Sequence, residues 1–251
     1  MKTTGNTIFM TGGTSGIGLE LARRFRDLGN TVIISGRRQE LLDTIAAEDG
    51  IEGIYLDVAD PASITAAFEK VTGAHDVNVL VTMAGIMQIE DLRDPGHLPT
   101  AEQTIDINLL GTIRAVATFT PYLLKQTDPV ILTVSSGLAS VPLTITPTYS
   151  ATKAAIHSYT QSLRIQLADT GIQVIELVPP AVQTTLMNQE NDERAMPLDE
   201  YLDETMRILQ DQPDAEEVLV DRVRFLRHAE RENRYDDVIG VLNSVHAVHK
   251  D

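Results

Sequence analysis

The sequence predicts an α/β protein built on one doubly wound parallel sheet of about seven strands, with helices on both faces. Three observations lead there. Short apolar runs rich in Val, Ile and Thr alternate with longer stretches of helical periodicity, the pattern of βαβ units. A glycine-rich turn directly follows the first such run and opens a helix. The chain has 251 residues, 43% of them hydrophobic, enough for one full core.

In chain order, the strand candidates are TIFMT (7–11), TVIIS (31–35), GIYLD (53–57), NVLVT (78–82), VILTVS (130–135) and QVIELV (173–178). Each is short and β-branched. Gly16–Leu28 sets Ile17, Leu21, Phe25 and Leu28 on one helical stripe. Pro61–Thr72 opens with a proline at the first helical position after Asp60, a natural cap. Asn108–Lys125 and Tyr149–Asp169 are the two longest helical patterns. EVLV (217–220) is a weak seventh strand, followed by two amphipathic helices. With no repeat and no Pro/Gly/Ser linker, residues 1–251 read as a single domain. In open α/β sheets, ligands bind beyond the carboxyl ends of the strands. The polar section 187–213 after the sixth strand is therefore expected to be a substrate lid, the alternative being a surface helix, and 214–251 a C-terminal extension.

With 36 acidic against 20 basic residues the net charge is −16, which argues against nucleic-acid phosphates as partners. Only 4% of residues are aromatic and none is Trp, so a base-stacking platform is not expected. The absence of cysteine excludes disulfides, zinc–thiolate sites and cysteine nucleophiles. No run reaches the ~20 apolar residues of a membrane span. MKTTGNTIFMTGG enters a strand at once without a signal-peptide pattern, and a cytoplasmic location is the expectation.

The turn Thr11-Gly12-Gly13-Thr14-Ser15-Gly16-Ile17-Gly18 has the composition of a pyrophosphate cradle. Glycines let backbone approach the phosphates, and the following helix offers its unpaired N–H groups. The second strand ends at Ser35-Gly36-Arg37-Arg38. An acidic side chain there would take the ribose 2′-hydroxyl of NAD. Arg37 and Arg38 suit a 2′-phosphate instead, favouring NADP(H) over NAD(H), unless they are ordinary surface arginines. Asp57, before Val58, could accept a bond from an adenine amino group or serve as a turn residue.

Tyr149 and Lys153 lie one helical turn apart on one face. A free phenol titrates near pH ~10, and a neighbouring ammonium is expected to lower that towards the working range. Such a pair can exchange a proton with an alcohol or carbonyl oxygen.

Taken together, TGGTSGIG at 11–18, Asp57-Val58, Ala84-Gly85, Asn108, Ser135-Ser136, Tyr149-x-x-x-Lys153, Pro179 and Thr184 strongly resemble the short-chain dehydrogenase/reductase family, with matching separations from Thr7 to about Thr184. VPPAVQT at 178–184 and the charged C-terminus look most like the DltE-type oxidoreductases of bacteria. The resemblance implies a Rossmann-type nucleotide-binding domain and hydride transfer between a nicotinamide and a carbonyl or alcohol substrate. It implies Tyr149 as general acid/base, with Lys153 lowering its pKa and bonding the nicotinamide ribose. Ser136 would hold the substrate oxygen, while Ser135 should point back into the sheet because strand neighbours alternate. Asn108 would position a water joining Lys153 to solvent, and Thr184 would contact the carboxamide. Gly12, Thr14, Ser15, Gly16, Ile17, Gly18, Arg37, Arg38, Asp57, Val58, Ala84, Gly85, Tyr149, Lys153, Pro179 and Thr184 would line the cofactor. A homodimer through the two long helices is implied, with pairing into tetramers left open. The competing reading is a regulatory or scaffold protein that keeps the fold without turnover.

Two positions depart from the family. Met83 replaces its usual asparagine, and Pro180 its usual glycine, stiffening the backbone beside the nicotinamide and removing one donor. The six histidines show no metal-ligand spacing except His246-x-x-His249, and no metal is expected. Leu138, Val141, Pro142, Leu143 and Ile145 form an apolar loop between Ser136 and Tyr149. It would either pack against a partner subunit or the lid, or form a wall for an apolar or weakly polar carbonyl compound.

Overall fold

The computed structural model describes residues 1–244. The seven strands are β1 (Thr7–Thr11), β2 (Thr31–Gly36), β3 (Glu52–Tyr55), β4 (Val79–Thr82), β5 (Val130–Val134), β6 (Gln173–Leu177) and β7 (Glu217–Val218). They form one sheet in the order β3-β2-β1-β4-β5-β6-β7, with all pairs parallel. The order reverses beside β1, between β2 and β4, which opens the crevice where ligands bind in such sheets.

Successive strand residues feed opposite faces. Ile8 and Met10 enter one core with Leu21 and Phe25 of α1 (Gly16–Asp27) and Leu42 of α2 (Gln39–Asp49). Phe9 between them enters the other, with Val71 of α3 (Pro61–Ala74) and Phe119 of α5 (Gly111–Leu123), on which its ring stacks at 5.2 Å. Asp60 caps α3 as expected, accepting from Ala62 N–H at 2.9 Å.

Three stretches differ from the sequence expectation. The helix expected from Asn108 follows α4 (Leu98–Thr104) and begins as a π-helical turn, Ile105–Leu110, before α5. Such a turn inserts one extra residue and re-aims the side chains in it, which periodicity alone does not reveal. The seventh strand shortens to two residues, and the first of the two expected terminal helices is the single turn α8 (Arg224–Arg227), ahead of α9 (Tyr235–Ser244). The segment 187–213 divides in two. Its second half is α7 (Leu198–Asp211), whose Tyr201, Leu202 and Leu209 are buried in the core and whose Asp203 pairs with Arg24 of α1. Amphipathic spacing hidden among charges makes α7 a packed helix, and only the residues before it border the cavity described below.

Among the described residues no helix is long and apolar enough to cross a membrane. His246 and His249 lie outside the described residues.

Candidate active site

A cavity of about 790 Å³ opens along the carboxyl ends of the strands. All the residues expected at the site line it except Asn108, which stands behind Gly85. At one end is the turn after β1. Gly12 and Gly13 donate to the Ser35 carbonyl at 3.0 and 3.1 Å, fixing the turn to the end of β2. Gly12 has φ +73°, and a Cβ there would stand 2.6 Å from Ala84 Cα. A Cβ on Gly18 would meet the Gly12 carbonyl at 2.5 Å. The Thr11 hydroxyl accepts from Met83 and Ala84 N–H at 3.1 and 3.2 Å, drawing the ends of β1 and β4 together. No side chain caps α1, whose first turn borders the cavity, so its first N–H groups are left open to an anion such as a pyrophosphate.

Arg37 and Arg38 are both exposed at this end, Arg38 donating to the Thr14 hydroxyl at 3.2 Å. Asp57 serves as a turn residue, accepting from Ala59 N–H at 3.0 Å, and also lines the cavity. Thr184 packs on the turn near Gly16.

At the other end, α6 (Pro147–Gln166) carries Tyr149 and Lys153, both buried. Proline at its first position ends the preceding loop and starts the helix. Lys153 Nζ donates to the Val134 carbonyl at 2.8 Å and stands 5.5 Å from the centre of the Tyr149 ring. Ser136 hydrogen-bonds the phenol. Ser135 is tied into the sheet, its N–H and hydroxyl both directed to the Leu177 carbonyl, as strand alternation requires. Asn108, re-aimed by the π turn, is fully buried. Its amide clamps Ile86, accepting from the N–H and donating to the carbonyl at 2.8 Å each, and donates to Thr152 at 3.3 Å.

One expectation is corrected. Burial pushes the Tyr149 phenol up to about 12, the Ser136 hydrogen bond opposing only in part. The ammonium engages a backbone carbonyl, and burial brings Lys153 itself down to about 8, against the attraction of Glu176. Met83 packs against the Gly18 position and the core, and no described peptide bond is cis, so both Pro179 and Pro180 are trans.

Sequence reasoning missed a cluster behind Lys153. His157, one turn further along α6, donates from Nδ1 to the fully buried Glu176 carboxylate at 2.9 Å. Its Nε2 lies 3.4 Å from Arg227, which can only donate, so the hydrogen belongs on Nδ1. Arg227 forks onto Glu217 at 2.7 and 3.0 Å. His157, Glu176 and Glu217 have the atoms to hold a metal ion, but the Glu217 carboxylate is already engaged by this guanidinium and Glu176 by His157. The available signal was a glutamate inside the apolar run VIELV, together with a histidine four residues after Lys153 in the helix register.

The apolar loop between Ser136 and Tyr149 packs on this chain's own C-terminal segment. Val141 joins Ala229 and Val238 in a third cluster, while Leu138 and Leu143 face the cavity.

A family profile described as short chain dehydrogenase matches residues 6–195. The chain is 38% identical to the uncharacterized oxidoreductase DltE of Bacillus subtilis, across 97% of this chain and 99% of that protein. The fold matches a short-chain dehydrogenase from Burkholderia cenocepacia in complex with NADP, at TM-score 0.82 and 22% identity over 95% of this chain and 99% of that one. It also matches a Burkholderia phymatum short-chain dehydrogenase/reductase in complex with NAD, at TM-score 0.77 and 20% identity over 93% and 97%.

Proposed function

The chain belongs to the short-chain dehydrogenase/reductase family and is an oxidoreductase, and from that premise we propose that it reduces a carbonyl compound, or oxidises the matching alcohol, with NADP(H). The observation carrying this reading is the continuity of one cavity from the glycine turn to the buried Tyr149 and Lys153. A bound nicotinamide dinucleotide supplies the hydride acceptor or donor. Tyr149 gives its proton to the carbonyl oxygen in reduction and takes it back in oxidation. With its phenol pushed up to about 12, Tyr149 is protonated at neutral pH and stands ready as the acid. Ser136 aims a second donor at the oxygen where negative charge grows. Lys153 stabilises the phenolate left behind, and Asn108 holds the strand end that Lys153 packs beside.

The fold accommodates either dinucleotide, so the choice rests on local residues. Arg37 and Arg38 at the end of β2 place two cations where the adenosine ribose would lie, with no carboxylate to bond its 2′-hydroxyl. The segment before α7 borders the cavity and would act as the lid. We also read the protein as a cytoplasmic homodimer.

The test is an NADPH-consumption screen over aldehydes, ketones, quinones and ketoacyl compounds, with Tyr149→Phe as the blank. The expected result is at least one reduced carbonyl, activity lost by a factor of about 100 or more in the variant, and cofactor binding retained. Undiminished turnover in Tyr149→Phe removes the tyrosine as the acid.

A further inference from the structure

Resting on the carbonyl-reduction reading, we propose that the substrate is an uncharged carbonyl compound bearing an apolar chain, held between the loop after Ser136 and the chain's own C-terminal segment. Beyond Ser136 and Tyr149 the cavity is lined by Leu138 and Leu143 of that loop, Leu226 of α8, and Val241 and Leu242 of α9. These walls are built against each other. A Cβ on Gly137 would meet Leu226 at 2.8 Å and Val223 at 2.9 Å. Asn243 of α9 accepts from Thr144 N–H at 2.7 Å and donates to the Pro142 carbonyl at 3.1 Å. The Ser150 hydroxyl takes the N–H of Leu143. Backbone groups of the loop are thus engaged within the protein, and what remains to meet a substrate is hydrocarbon.

Among the described residues, the cations along the cavity are already engaged or remote. Arg194 is gripped through Nε and Nη2 by Asp192 at 2.9 and 2.8 Å. Lys153 donates to Val134. Arg37 and Arg38 stand at the opposite end, beyond the glycine turn. Among the described residues, a carboxylate, sulfonate or phosphate on the substrate would find no unengaged guanidinium or ammonium at this end of the cavity. The net charge of −16 further disfavours anions approaching from solution. The polar neighbours contributed by 185–189, Thr185 and Gln189, are neutral. The walls formed by α8 and α9 lie outside the matched residues 6–195, so the shared catalytic portion does not dictate this end.

The experiment measures binding as well as turnover. Aliphatic primary amides from propanamide to octanamide mimic the carbonyl without being reduced. They are titrated by calorimetry into the protein–NADPH complex, alongside ω-carboxy amides of matched length. Affinity should rise about threefold per added methylene, and each ω-carboxy partner should bind at least about tenfold more weakly. Val241 is largely exposed, so Val241→Lys should fold, and its new cation should shrink the penalty on the ω-carboxy series. The matching aldehydes, assayed for NADPH consumption, should show the same order. A flat amide series, or a preference for the carboxylates in the unaltered protein, overturns the assignment whether or not any aldehyde is reduced. Amides that bind with the expected slope while no carbonyl is reduced would uphold the pocket and overturn the reaction instead.

Discussion

At Lys153 two opposing effects meet: burial expels its charge, while the buried Glu176 carboxylate draws it back, leaving the ammonium at about 8. The imidazole of His157 donates to that carboxylate and holds it in place beside α6. In carbonyl reduction Tyr149 becomes a phenolate in a desolvated site, and a charged Lys153 offsets that cost. The sign follows directly. Below about 8 Lys153 is charged and the rate should be level; above it the proton is lost and the rate should fall. Replacing Glu176 by glutamine removes the carboxylate attraction that favours the ammonium, so the falling limb should move to lower pH by about a unit. Profiles of kcat/KM for carbonyl reduction against pH, for the wild type and Glu176→Gln, check this. A limb that stays in place, with only the plateau lowered, would reduce Glu176 to a packing residue. The tyrosine and lysine were legible as a pair one helical turn apart, and their roles were implied by the family resemblance rather than by that spacing alone. The glutamate was not, because strand β6 reads as uniformly buried and sequence carries no sign of which helix covers it.

The turn joining β1 to α1 shows how much an element depends on missing side chains. Gly12 lies at φ +73° with Ala84 backbone where a Cβ would be, whereas Gly29 at φ +82° has nothing within 4 Å. Alanine at either site bears the left-handed penalty of about 1–2 kcal/mol. Only Gly12→Ala must also push apart the ends of β1 and β4, which Thr11 ties together. Gly12→Ala is therefore expected to lower Tm by several degrees more than Gly29→Ala, at roughly 2–4 °C per kcal/mol for a chain of this size. It should weaken dinucleotide binding by about tenfold or more, while Gly29→Ala leaves binding unchanged. Thermal melts and calorimetric titration decide; equal losses in both would mean that close approach is not what the turn requires. The turn itself was legible because strand, glycines and helix follow one another in sequence. The π turn under Asn108 and the burial of α7 were not, since one depends on a single inserted residue and the other on packing across the sheet.

For the whole molecule, the sheet order and the two cores follow from alternation along each strand, yet among the described residues one face remains uncovered. The run α4, π turn and α5 lies against α6, and Ile105, Leu124 and Ile165 are 40%, 50% and 77% exposed there or at its ends. Between the helices a groove of about 380 Å³ is lined by Ile105, Leu109, Pro147, Thr148, Ala151 and Thr152. Small residues, Ala151 and Thr152, on a helix that also carries Tyr149 and Lys153 would let a second copy approach closely, and dimerisation would then brace the catalytic helix. Two such chains would bring together two charges of −16, so the association must be driven by apolar contact against electrostatic repulsion. Screening shortens that repulsion to about 10 Å at 0.1 M salt and about 3 Å at 1 M. The expected result in sedimentation velocity at micromolar concentration is a species of twice the 27.5 kDa chain mass, tightening as salt rises. Ala151→Glu should dissociate it by filling the groove with charge, and Tyr149-dependent turnover should fall with it. A wild-type monomer across that salt range would leave α6 braced by its own chain alone, and the exposed isoleucines without a partner copy.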